Sequence, residues 1–205
     1  MSAGPSLMRR NVVTRILDAG YSGTLLCVDG AYIGCLKEGL IPDFVMTLDP
    51  HPTRTVRWFG DPDFENNAAT DDYFARQDLD VEFRKNSLEH NRRNVELVNR
   101  HAPLSKMIVS ACSSRNVIER LAAARADMYW YNPLVDDPRD PESLTRKMYR
   151  MNRLPCLNTG GTVGTAAWVF ASTVLKIRHL AVVGMDFGYP GERPWKETQT
   201  YYELV

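Results

Sequence analysis

TLLCVDGAYIGCLKEGLIPDFVMTLDPHP, residues 24–52, decides the fold. Thr24–Val28 is a short apolar run and reads as a buried strand. Ala31–Glu38 has helical character and is closed by Gly39. Asp43–Leu48 reads as a second strand. It stops at Asp49-Pro50-His51-Pro52, because a proline on each side of His51 excludes a regular element and holds an extended turn. Two strands joined by one helix through short turns pair in parallel, with a right-handed crossover.

The same rhythm continues on both sides. Upstream, Asn11–Ala19 places Val12, Val13, Ile16 and Leu17 near helical spacing and stops at Gly20. Downstream, Gly60–Asp72 is polar, is interrupted by Pro62 and reads as a loop. Leu88–Arg100 is predicted helical with Arg92 and Arg93 on the solvent side, and Lys106–Cys112 is a third strand. Ser113 and Ser114 are placed to cap a helix over Arg115–Arg125. Asp127–Tyr131 is a strand whose Tyr129, Trp130 and Tyr131 divide between core and pocket wall. Asn132–Pro141 reads as a surface loop, its aspartates unsuited to a metal, and Ser143–Met151 as a helix. Leu154–Leu157 leads into Asn158-Thr159-Gly160-Gly161 and a helix over Thr162–Leu175. Arg178–Val183 is predicted to be a strand ending at Gly184-Met185-Asp186, and Trp195–Val205 a last helix. The expected architecture is α/β, a single three-layer, Rossmann-like domain over residues 1–205 with a doubly wound, mostly parallel sheet. A glycine loop with no strand ahead of it and the end at Val205 suggest a partial chain; the alternative is that residues 2–7 are not a phosphate loop.

Composition excludes several classes. The 205 residues are 44% apolar and 24% charged, ordinary for a globular chain. Twenty-five basic residues balance 25 acidic ones, which argues against a general grip on nucleic acid or an anionic membrane. The longest apolar run, Ala166–Ala171, is far short of a membrane span. Cys27, Cys35, Cys112 and Cys156 form no paired motif, so reduced thiols and a cytoplasmic location are expected. No GxxxxGK[ST], HExxH, GxSxG or zinc spacing occurs, which removes support for Walker-type ATPases, zinc hydrolases and serine hydrolases. Trp58, Phe59 and Trp195 are the candidates for the apolar contact of a homo-oligomer.

Ligands of such sheets bind beyond the carboxyl ends of the strands. Gly4, Pro5 and Ser6 precede the first helix, where free amides favour an anion; an N-cap is the alternative. Asn158, Thr159, Gly160, Gly161 and Thr162 join a strand to a helix and offer amides and hydroxyls to a phosphate or carboxylate. Asp29 and Gly30 either receive a ribose or base, or begin the next helix. Asp49 is a candidate for Mg²⁺, and His51 for general acid–base work or phosphate donation. Asp186 either closes the site or caps a helix or turn.

SAGPSL at residues 2–7, VDGAYIGCLKEGLIPDFVMTLDPHP at 28–52 and NTGGTVGTAAWVFASTVLKIRHLAVVGMDFGYPG at 158–191 resemble the MptE-like family. This family includes an archaeal 6-hydroxymethylpterin diphosphokinase and the central domain of the Maf flagellin glycosyltransferases. The last block and the GPSL loop also resemble bacterial sialyltransferases that use CMP-sugars. The resemblance implies a nucleotide-binding transferase with Gly4, Pro5 and Ser6 at the phosphates and Asp29 and Gly30 lining the pocket. It makes Asp49 the metal or substrate carboxylate, Gly160, Gly161 and Thr162 a second anion cradle, and Asp186 the closing residue. The donor it implies is ATP with Mg²⁺, or a CMP-sugar in the glycosyltransferase alternative. The acceptor is a small molecule or a glycan. A non-catalytic nucleotide-binding domain is the third reading.

Overall fold

The computed structural model describes residues 1–70 and 81–188. Five strands form one sheet in the order β1 (Leu26–Val28), β2 (Phe44–Thr47), β3 (Lys106–Ser110), β4 (Asp127–Pro133) and β5 (Cys156–Leu157), and every neighbouring pair is parallel. The helices among the described residues are α1 (Pro5–Arg9), α2 (Val12–Asp18), α3 (Asp29–Lys37), α4 (Phe64–Thr70), α5 (Val81–His101), α6 (Arg115–Ala123), α7 (Leu144–Asn152) and α8 (Val163–Val169).

Side-chain alternation shows that both faces are covered. Cys27 lies in register with Val45, and its thiol neighbours that of Cys35 in α3. Phe44, one residue away from Val45, must point to the opposite face. There its ring meets Phe170, in the π-helical turn that continues α8, edge-on at 5.9 Å. The sheet is therefore a middle layer, with α3 on one side and α8 on the other. The chain advances through the sheet one strand at a time and then returns from β5 along α8, which packs on β1 and β2. The winding reverses only at that return.

Residues 1–4 and 181–184 extend the sheet beyond β1. Val28 N donates to Met1 O at 3.0 Å, and Ser2 N and Gly4 N donate to Val183 O and Gly184 O at 2.9 and 2.8 Å. This is where Arg178–Val183 lies. It forms no ladder, contrary to the strand predicted. The backbone it meets there is the four-residue stretch Met1–Gly4, which turns into α1 at Pro5, so too few bonds form.

Other readings change for local reasons. Residues 60–70 are not a plain loop. Buried Asp61 accepts from Asp63 N at 2.9 Å and Asn67 Nδ2 at 2.7 Å, which fastens α4, while Phe64 and Ala68 pack against Leu88. Pro62 lies ahead of α4 rather than within it, so it does not interrupt the helix. Asn132 and Pro133 belong to β4 and pair with β5. Tyr129 and Trp130 are exposed because β5 reaches only the last two residues of β4, whereas Tyr131 is buried. Phe59 is 0% exposed and cannot serve an interface; Trp58 packs half-buried on the core, and Trp195 and its predicted helix lie outside the described residues. Cys156 is exposed, while Cys27 and Cys35 are buried. No helix among the described residues is long and apolar enough to cross a membrane.

Candidate functional site

The turns at the carboxyl ends of the strands form a continuous crescent. A β-carbon on Gly164 would lie 2.8 Å from Ser2 Oγ, so the start of α8 abuts the first loop. A β-carbon on Gly30 would lie 3.0 Å from Ala3 Cβ, which joins that loop to the start of α3. Asp29 then reaches Thr47 at the end of β2. Beyond it, Asn116 Nδ2 of α6 donates to Pro52 O at 3.1 Å. Asp49, Gly30, Gly4 and the 158–164 turn thus share one rim.

At its centre Asp29 is buried. Its carboxylate accepts from Thr47 Oγ1 at 2.8 Å and from Gly30 N at 2.7 Å. Tyr131 Oη donates to Thr47 O at 3.1 Å and stiffens the same point. Burial pushes the Asp29 carboxyl up to about 6; the two hydrogen bonds oppose the shift and the charge of Asp49 adds to it. Because the folded value lies above the ordinary carboxyl range, folding favours the protonated form. The contribution of Asp29 to stability is then greatest below about pH 4, falls as pH rises to about 6, and is level above that. We expect Asp29→Asn to abolish this slope and to be more stable at neutral pH by up to about 3 kcal/mol. Urea unfolding at pH 4.5, 6 and 7.5 measures it; an unchanged slope in the variant would assign the effect elsewhere.

Asp49 is exposed at the end of β2 and its Oδ1 accepts from His51 N at 2.8 Å. This side-chain turn and the flanking prolines fix the loop. His51 Nδ1 faces the amides of Thr53 and Arg54 at 3.3 and 3.2 Å. With Nδ1 accepting, the neutral ring carries its proton on Nε2 and can donate to an anion there. That geometry favours the phosphate-donor role over the general-base role.

The glycine loops are more fully bonded than their sequences suggest. Ser6 N donates to Asp186 Oδ2 at 2.7 Å, and Ser6's bonds hold the Asp186 carboxyl below its usual range. Asp186 therefore caps α1, the alternative open for it, and a carboxylate occupies the anion position ahead of that helix. In the second loop Asn158 Oδ1 accepts from Gly160 N at 3.0 Å. Thr162 and Thr165 form a reciprocal capping box. The Thr162 hydroxyl is thus tied into its own helix, Thr159 is buried, and Gly161, at φ +89°, faces open space. Gly161 and the exposed Asn158 are the members of this set left clear for a ligand.

Two serines in the turn after β3 complete the rim. Ser113 and Ser114 precede α6, but neither hydroxyl caps it. Both oxygens are buried without a partner. Beside Pro52 and an uncapped helix start, they are suited to an anionic ligand. Their signal was the Ser-Ser pair directly after a strand, which equally signals a cap. Below the rim on the α8 face, a cavity of about 360 Å³ runs along β1 from Thr24 to Ser2, Gly164 and Met185, with Trp168 and Tyr21 in its walls.

These features define an all-parallel, Rossmann-like α/β domain with a polar rim above an apolar cavity. No protein-family model, curated protein or solved structure matches the chain.

Proposed function

We propose that this chain is a nucleotide-dependent transferase, in its leading form transferring diphosphate from ATP to a hydroxymethylpterin-type acceptor. The observation that carries the reading is the meeting of the two glycine loops at Ser2 and Gly164, with Asp29 and Asp49 farther along the same rim. The donor's phosphates have the Gly161 backbone, the orphan hydroxyls of Ser113 and Ser114, and His51 Nε2 as hydrogen-bond donors. The apolar cavity along β1 suits a flat aromatic acceptor.

The magnesium set is thin. Asp29 commits its oxygens to Gly30 and Thr47, Asp49 accepts from the His51 amide, and no group of three metal-ligating side chains occurs among the described residues. The residues do not assemble a protein magnesium site, and no step here runs through one. This favours CMP-sugar-dependent glycosyl transfer as the second reading.

Calorimetry with ATP, CTP and CMP, with and without Mg²⁺, separates the alternatives. ATP binding with diphosphate transfer supports the first reading, and a metal-independent preference for CMP supports the second. Binding without turnover on any acceptor leaves a non-catalytic nucleotide-binding domain, and binding of none removes all three. We expect Gly161→Asp to abolish nucleotide binding, since it adds a carboxylate at a left-handed position facing the phosphates. Asp49→Ala is expected to lower transfer about 100-fold while changing nucleotide affinity less than about threefold.

A further inference from the structure

A second pocket, about 370 Å³, lies on the outer side of α7 beside the edge strand β5. Arg146, Arg150 and Arg153 line it together with Tyr149, Pro138 and Cys156, and no carboxylate is in its wall. Arg146 and Arg150 are one helical turn apart, and Arg153 follows in the next, so the three share one face.

The pairing of neighbouring cations shows where the positive field is left open. Arg139 is paired with Asp137 at 2.8 Å and Lys147 with Glu142 at 2.9 Å. Among the described residues neither Arg146, Arg150 nor Arg153 has such a partner. Arg153 instead stacks over the Tyr149 ring, 5.6 Å from its centroid. Arg153 also ends α7 at φ +60°, a left-handed position where glycine or asparagine is the usual residue. The chain thus holds an arginine at a strained cap that delivers it to this pocket. Guanidinium groups match phosphate oxygens two at a time, and three of them fit a ligand carrying several phosphates.

We propose that the α7–β5 pocket is a polyanion site that takes a chain of phosphates, separate from the rim and independent of the transferase reading. Cys156 reports its occupancy, because Cys27 and Cys35 are buried and Cys112 is half-buried. The probe is inorganic tripolyphosphate. It is expected to protect Cys156 from iodoacetamide, followed by mass spectrometry of the full chain. In Arg146→Gln/Arg150→Gln the half-protecting concentration should rise about 100-fold, roughly tenfold for each guanidinium lost. Arg153→Gly should raise it about tenfold with the thermal midpoint held or increased, since glycine relieves the left-handed cap; this keeps the test independent of folding. Absence of protection in the parent chain, or protection that persists unchanged in both arginine variants, overturns the site. It is equally overturned if sulfate protects at the same concentration, or if anionic phosphatidylserine vesicles protect and tripolyphosphate does not.

Discussion

Replacing Arg120 with methionine is expected to destabilise the protein by about 3–5 kcal/mol, the largest single effect away from the apolar core. Arg120 is 4% exposed, and its guanidinium ties three elements together. Nε donates to Phe59 O at 3.0 Å and Gly60 O at 2.5 Å, Nη1 to Asn99 Oδ1 at 2.7 Å, and Nη2 to Val95 O at 3.1 Å. These bonds fasten α6 to the 3-10 turn at Thr55–Phe59 and to α5. Methionine conserves much of the volume but leaves buried carbonyls without donors. For a chain of this size the loss corresponds to a fall in Tm of roughly 6–20 °C. Arg120→Lys should recover little, because one ammonium cannot span acceptors spread around a planar fork. Calorimetric unfolding decides it; a loss under about 1 kcal/mol would show that water replaces the guanidinium.

On the proposed nucleotide-binding reading, Gly4→Ala should cost about 100-fold in nucleotide affinity with a much smaller effect on folding. An added β-carbon would stand 2.5 Å from Gly184 O and 2.6 Å from Asp186 Oδ2. Backbone at that distance must move, which breaks the Gly4–Gly184 bond and pulls Asp186 from the Ser6 amide. The first loop would then leave its contact with Gly164, while the packing of α3, α5 and α6 stays intact. Gly34→Ala is the matched control. Its β-carbon would meet only Met8 Sδ at 3.7 Å, and alanine within a helix should add about 0.5–1 kcal/mol of stability. Equal affinity in Gly4→Ala and the parent would detach the first loop from the donor site.

Where local pattern and tertiary placement agree, the chain is legible. β1, α3 and β2 fall within the stretch 24–48, because a short apolar run, a helix closed by Gly39 and a proline-bounded turn each carry their own local signal. Arg178–Val183 has as strong a pattern as any strand, yet strand structure also needs a neighbour of sufficient length. The rim follows the same division. Carboxylates, hydroxyls and glycines after strands are visible in order along the chain, whereas the bonds that occupy them are not. Asp186 and Ser6 are 180 residues apart, and only their meeting turns a candidate catalytic carboxylate into a helix cap. Arg120 shows the same limit: its sequence neighbours give no sign that its partners lie 21 to 61 residues away.

Sequence alone determined the alternation of strand and helix, the parallel class, and the set of chemical groups placed after each strand. These follow from period, proline and glycine, which act over a few residues. Tertiary structure decided which groups remain available to a ligand, which are tied to the fold, and where unpaired arginines gather on α7. Those outcomes depend on distances between residues far apart in the chain, set by packing against the sheet.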